Sequence, residues 1–438
     1  MRKARTAYEL ATSQVDTPED IVRVFWEITH TYRSRLSRVL DLGAGDGRFA
    51  IGGRFSSYEG VEIDASRRPR VKLPRTARIS YSCAFKHQGM GYAACIGNPP
   101  YVRHHDLDER WRDSVARRIC RETGAEVNRK CNLYVYFLFL ALLKSTQDGI
   151  VSAIVPYEWV SRPSAEPLRN YIKRNGWHVD IYRFSEPIFE GVLTTASISV
   201  IDKRNRDRQW GYLSLSPTGG ISKLRQITGS DGELLPYERR GRIWAMRGMS
   251  PGTQRVFTLT EGERVHVGLT DDDVLPCVTS LRKIPRDLER LTWPAFRKRF
   301  VTAGAKCWLI KSYANNISPR LQAYLDSVPE TLRDTWTCTT RDPWYRYALS
   351  DAPGLLVSTG FRKFGPKVLV NSISAYAVGS VCGVYADDDA AWSCVRAYLT
   401  GINFQNRIVP HAKGLRKIEI RQLNAALNSY LKRAKRDA

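Results

Sequence analysis

The chain has 438 residues, with 68 Lys+Arg against 44 Asp+Glu and a formal net charge of +24. Its 43% hydrophobic and 11% aromatic residues suffice for a sizeable core, which excludes a disordered or low-complexity chain, and the length suits two or three domains. A pI near 9.8 gives a field that attracts polyanions, either nucleic acid or an anionic membrane surface.

Taken in chain order, the first half alternates short apolar runs with longer amphipathic ones. A Thr-Pro-Glu start opens a helix over 20–31, and apolar runs predict strands at 38–42, 58–63, 92–96, 149–155, 178–183 and 196–201. Helices are predicted at 133–144 and 165–174. This is the pattern of a doubly wound, mostly parallel α/β sheet covered by helices. Lys203, Arg204, Arg206 and Arg208 then crowd into an apolar-poor stretch over 202–209, which reads as a solvated connection and places a domain boundary at 208. From 209 to 438 the alternation fades into Gly, Pro and Asp punctuation, with a β-rich run at 367–370 and helices near 392–399 and 417–433. A separate α+β domain is expected there.

Two motifs carry chemistry. The strand ending in Val39-Leu40-Asp41-Leu42 runs into Gly43-Ala44-Gly45-Asp46-Gly47, and Glu62 follows 19 positions after Gly43 at the end of the next strand. A glycine turn lets backbone approach a ligand, and an acid at that spacing suits ribose hydroxyls. The pair fits a nicotinamide dinucleotide or S-adenosylmethionine equally, with an ordinary tight turn as the plain alternative. The second motif, Asn98-Pro99-Pro100-Tyr101, comes directly after an apolar strand, at the carboxyl edge where α/β enzymes place ligands. Its prolines stiffen the backbone so that the Asn98 amide and the Pro99 carbonyl can face one point, and Tyr101 adds a flat stacking surface. Two fixed acceptors suit an exocyclic amino group, whose lone pair they would direct at an electrophilic methyl.

These residues, in this order, resemble the γ-class DNA adenine-N6 methyltransferases, the TaqI-type enzymes of restriction–modification systems. Asp16-Thr17-Pro18 is similar to the family's N-terminal Thr-Pro motif, and Pro187-Ile188-Phe189-Glu190-Gly191 to the loop that helps hold a flipped adenine. The resemblance implies a class I S-adenosylmethionine-dependent methyltransferase domain over 1–208 and a DNA target-recognition domain over 209–438. It implies Thr17, Asp41, Gly43, Gly45, Glu62 and Phe85 as cofactor-binding residues. Asn98, Pro99, Pro100, Tyr101 and Phe189 are then the catalytic set. Double-stranded DNA is the implied substrate, acted on by a monomer, with a cognate restriction endonuclease working separately. One departure concerns the acid that usually precedes the aromatic at Phe85: here Ser82-Cys83-Ala84 leads into it, and no Asp or Glu lies between Asp64 and Asp106. The rival readings are an Asn-Pro-Pro-Tyr enzyme acting on RNA or protein glutamine, and a DNA-binding specificity protein with a decayed methylation site.

Other features are less specific. The charged run 103–130 reads equally as a solvated helix or a phosphate-contacting one, and the adjacent His104-His105 suits no metal from one loop. Trp344-Tyr345, Tyr347 and Phe361-Arg362-Lys363-Phe364 mix aromatics with bases, as nucleic-acid surfaces do and as packed cores with charged edges also do. The tail 411–438 holds eight Lys+Arg against two Asp+Glu. Nine scattered cysteines without a Cys-x-x-Cys pair read as reduced thiols in the cytoplasm, with no zinc site. The longest apolar run, 133–143, is too short for a bilayer, so no membrane association is expected; nor does a signal core follow the basic start Met1-Arg2-Lys3-Ala4-Arg5.

Overall fold

The computed structural model describes residues 15–69, 72–189, 195–223, 235–412 and 415–434. The basic N-terminal start, Glu190 and Gly191, and residues 413–414 and 435–438 of the basic tail lie outside the described residues. The chain divides into two compact units, 1–232 with 409–414, and 233–408 with 415–438.

The first unit is built on a nine-stranded sheet. Its strands are β1 (Leu36–Leu42), β2 (Phe55–Glu62), β3 (Ala77–Tyr81), β4 (Tyr92–Gly97), β5 (Ser145–Pro156), β6 (His178–Phe184), β7 (Ala196–Asp202), β8 (Trp210–Leu215) and β9 (Ile221–Lys223). They lie in the order β3-β2-β1-β4-β5-β7-β6-β8-β9. The run from β3 to β5 is parallel throughout, and β7 enters antiparallel between β5 and β6. Chain order reverses between β1 and β4, the switch point at which open α/β sheets bind ligands. There Asp41 pairs with Ile96, which puts the glycine turn after β1 beside the Asn98 loop after β4.

Helices cover the sheet. In α1 (Glu19–Tyr32), Glu19 and Asp20 complement the dipole of the first turn, and Ile21, Val22, Val24, Phe25 and Ile28 are buried at helical spacing. Phe25 meets Phe49 edge-on at 5.0 Å, and the Trp26 indole donates to the Phe49 carbonyl at 3.0 Å. The charged run forms α2 (Glu109–Thr123), capped by the Asp108 carboxylate on the Trp111 N–H and closed by Gly124. It buries only Val115 and Ile119, as a solvated helix does. By contrast α3 (Leu133–Lys144) is apolar all round and almost wholly buried. A further helix, α4, spans Glu166–Asn175. Among the described residues no helix is long and apolar enough to cross a membrane.

The boundary expected at 208 falls inside this unit. Residues 210–215 form β8, parallel to β6 from Val179–Trp210 to Phe184–Leu215, and the unit runs on to 232. The half-buried strand Trp210-Gly211-Tyr212-Leu213-Ser214-Leu215, next to the edge strand β9, lacks a continuous apolar run, so backbone pairing rather than pattern places it. Nor is Lys203 solvated: it is 6% exposed, and its Nζ donates to the carbonyls of Leu142 and Ser145 and to the Ser145 hydroxyl at 3.0–3.2 Å. Burial pulls its pKa down to about 8.

The second unit holds a five-stranded sheet ordered Ile243–Arg247, Val381–Ala386, Leu355–Ser358, Val368–Asn371, Arg290–Leu291. A four-stranded sheet is ordered Thr258–Leu259, Trp308–Ile310, Val274–Val278, Tyr376–Ala377. The helix Ile420–Ala434 buries Leu423 and Leu427, and its Asn424 amide oxygen accepts the Ala245 N–H at 2.7 Å. Tyr347 is buried in the hydrophobic cluster around Phe257, and the partly buried Trp344 and Tyr345 pack against it.

Candidate active site

The carboxyl ends of β1, β2 and β4 converge. Gly43 has φ +87°, and a Cβ there would touch Pro100 and the Phe137 ring at 3.8 Å, so the glycine turn lies against the Asn-Pro-Pro-Tyr loop. The N–H groups of Gly43 and Ala44 donate to the Val61 carbonyl at 2.8 and 3.0 Å. Glu62, 4% exposed, closes the turn from below: its carboxylate accepts the N–H of Gly45 at 2.7 Å and that of Asp64 at 2.9 Å. The acid expected at the ribose thus also shapes the turn.

Asp41 is fully buried. The Tyr58 hydroxyl donates to its Oδ2 at 2.5 Å, and its Oδ1 has no partner among the described residues. Burial raises its pKa to about 7, against the Tyr58 bond and with help from the nearby Glu62 and Asp46 carboxylates. The backbone of β4 comes close on the other side: Gly97 has φ +136°, and a Cβ there would sit 2.4 Å from Asp41 Oδ1. An orphaned buried carboxylate oxygen beside a glycine turn, near the carboxylates of Glu62 and Asp46, fits a ligand that brings an amine and positive charge.

The segment before α1 is pinned over this turn by ion pairs. Arg48 binds Asp46 at 2.6 Å and Asp16 at 3.2 Å and donates to the Thr17 carbonyl, while Arg67 pairs closely with Asp16. Burial alone would raise the Asp46 carboxyl, but the Arg48 bonds outweigh it and hold it below the usual carboxylate range. Thr17 is thereby buried, 3% exposed, and its hydroxyl accepts from the Asn98 side-chain amide at 3.1 Å. That bond uses one N–H of the Asn98 Nδ2 and so orients the amide, leaving Oδ1 as an acceptor with no partner among the described residues.

Tyr101 is anchored by its hydroxyl on the Ile154 carbonyl at 3.1 Å, and burial keeps the phenol pKa well above its usual value. Phe189 lies next to it, 6.3 Å between ring centroids, but with planes at 80°. The two rings are brought together as expected, yet edge to face rather than as parallel walls. Phe85 sits on the short turn Ala84–Lys86 after β3, with Trp111 at 5.1 Å and Phe137 at 5.0 Å, both edge-on. Phe137 links it to Gly43, so Phe85 belongs to the rim of the same turn. Arg48, Arg67 and Tyr58 carry no signal in the sequence, because their role depends on partners up to 51 positions away. Among the described residues no group of His, Cys, Asp and Glu could hold a metal ion.

Strand order, antiparallel β7 and a glycine turn at the β1/β4 switch point are those of the class I S-adenosylmethionine-dependent methyltransferase fold. Residues 61–189 match the Eco57I restriction-modification methylase family, and residues 239–403 match the C-terminal domain of the Type II methyltransferase M.Eco57I. Between them the two matches cover most of the described chain, which is therefore similar to the restriction–modification methylases. It is 21% identical to the Type II methyltransferase M.AccI of Acinetobacter calcoaceticus over 65% of this chain and 58% of that protein. It is 22% identical to the Type II methyltransferase M.XamI of Xanthomonas campestris pv. amaranthicola over 89% of this chain and 79% of that protein. The chain thus spans less than two thirds of the first of these relatives. A nuclease-deletion mutant of the Type ISP restriction–modification enzyme LlaGI in complex with a DNA substrate mimic aligns at 13% identity with a TM-score of 0.49, over 89% of this chain and 51% of that one.

Proposed function

We propose that the protein transfers the methyl group of S-adenosylmethionine to N6 of an adenine in double-stranded DNA, after that adenine leaves the base stack, and so protects sites from a cognate endonuclease acting separately. The observation that carries this reading is the Asn98 amide, oriented by Thr17 so that its oxygen is the free acceptor at the end of β4. N6 of a paired adenine is buried in the duplex, so extrusion must precede transfer. The Asn98 Oδ1 and the Pro99 carbonyl hold the two N6 hydrogens, which turns the nitrogen lone pair out of the ring plane toward the electrophilic methyl carbon, and N6 gives up one of those hydrogens as a proton once it carries the methyl. Tyr101 stacks on the extruded base; Phe189, now edge-on to it, turns or gives way to close the other face.

S-adenosylmethionine, when bound, supplies the electrophilic methyl. Asp41 Oδ1, the Gly43–Gly45 backbone and Glu62 are the groups that hold it, with Thr17 near its carboxylate and Phe85 at the rim. Holding amine and methyl in line converts a bimolecular displacement into a positioned one.

The test is labelling of mixed-sequence DNA with tritiated cofactor, followed by nucleoside analysis, using wild type and Asn98→Ala. Label in N6-methyladenine that disappears in the variant is the expected result. Undiminished labelling by the variant, or label that resists DNase and yields to RNase or protease, overturns the assignment.

A further inference from the structure

We infer that Phe364 is a wedge that enters the base stack of bound duplex DNA, an inference that rests on the DNA-methylase reading above. Phe364 is 77% exposed, although its neighbour Phe361 is 5% exposed and packed in the core. It also has φ +63°, a left-handed backbone that a bulky side chain rarely adopts. An exposed aromatic on strained backbone is costly in the free protein, and such strain persists only where the surroundings enforce it.

Those surroundings are specific. The Arg286 guanidinium donates to three successive carbonyls, of Lys363 at 3.1 Å, Phe364 at 3.0 Å and Gly365 at 2.9 Å, and lies 5.4 Å from the centre of the Phe364 ring. At the loop's end the Lys367 Nζ caps the carbonyls of Leu281, Arg282 and Ile284, and the Lys367 N–H is held by the Ser358 hydroxyl at 2.8 Å. The tip is therefore a clamped projection. Arg362 and Lys363, both exposed, precede the ring, and a groove of about 520 Å³ opens beside it toward Asn403 and Gln405.

An apolar blade flanked by cations matches a surface that is anionic outside and offers an apolar slot inside. A DNA base step has that chemistry: phosphates meet Arg362 and Lys363, and an aromatic side chain can separate neighbouring stacked bases at the cost of unstacking them. An apolar protein partner would offer no match for the cations. In the methylation reaction the wedge supplies some of the work of unstacking that base extrusion needs.

The experiment compares wild type, Phe364→Ala and Phe364→Leu on two duplexes carrying the site read by modification sequencing from cells expressing the protein. One duplex is fully paired; in the other the target base faces an abasic site, which lowers the cost of extrusion. Phe364→Ala is expected to lose about tenfold or more in kcat/KM on the paired duplex and to recover to within about threefold on the abasic one, with Phe364→Leu keeping most activity. Unchanged activity of Phe364→Ala on the paired duplex, or equal losses on both duplexes, overturns the wedge. If wild type labels neither duplex, the DNA-methylase reading itself falls and takes the wedge with it. Calorimetric cofactor binding checks that each variant is folded.

Discussion

The side-chain amide of Asn98 donates to the hydroxyl of Thr17 at 3.1 Å, joining residues 81 positions apart. Because an amide has one donor end and one acceptor end, spending the donor on Thr17 decides which end meets the substrate. On the proposed reading Thr17 is thus a positioning residue for Asn98. Thr17→Val, which keeps the shape and removes the acceptor, is expected to lower kcat about tenfold, in line with about 1–1.5 kcal/mol for one hydrogen bond, while KM for DNA changes little. Thr17→Ser should restore the rate; steady-state kinetics that show a KM effect alone would remove this role.

If Asp41 holds the cofactor as proposed, it should tie cofactor affinity to pH. Its folded pKa, raised by burial to about 7, lies above the ordinary carboxylate value of 3.8. Between those values the folded protein binds more protons than the unfolded chain, so this group's contribution to stability falls as pH rises through that window and is constant above it. A cationic ligand favours the ionised form, so affinity for S-adenosylmethionine should weaken as pH drops below about 7, by up to about tenfold for each pH unit. Calorimetric titrations from about pH 5.5 to 8.5 should show this slope in wild type and a flat, weaker profile in Asp41→Asn. The same slope in both proteins would exclude Asp41 as its source.

His178 on β6 bridges two carboxylates, with Nε2 to Asp180 and Nδ1 to Asp207 each at 2.9 Å, and Tyr32 from α1 donates to the same Asp180. Burial alone would lower its pKa, but the two carboxylates outweigh burial and raise it above 6.5. A raised histidine contributes stability that is fully present below the unfolded value of 6.5 and lost as pH climbs through the folded one. The melting-temperature gap between wild type and His178→Gln should therefore be larger at about pH 5.5 than at about pH 8.5. A gap independent of pH would show that packing, not charge, is what the histidine provides.

Much of the first unit is legible in the sequence because its signals are local. All six predicted strands, read as short apolar runs, fall on inner strands of the sheet, and β2 ends on the expected acid. The half-exposed strand Ala-Arg-Ile-Ser-Tyr at 77–81 and the polar edge at 210–223 lack that run, which is why pattern alone misses β3 and sets the boundary too early. In the second unit the aromatics of 344–347 and 361–364 look alike as sequence; the former pack around Phe257, and Phe364 projects.

By itself, then, the amino-acid sequence determined the chemistry on offer: a strand feeding a glycine turn, an acid one strand later, and a proline-stiffened loop presenting one amide and one aromatic ring. These are set by backbone conformations that a few neighbouring residues dictate. Only the tertiary structure decided how those groups are used. It turned the Asn98 amide by way of Thr17, left one oxygen of Asp41 without a partner among the described residues, stood Phe189 edge-on to Tyr101, and held Phe364 outward on Arg286. Each depends on a partner brought close by folding, and hydrogen bonds and ring contacts across tens or hundreds of residues leave no periodicity in the chain.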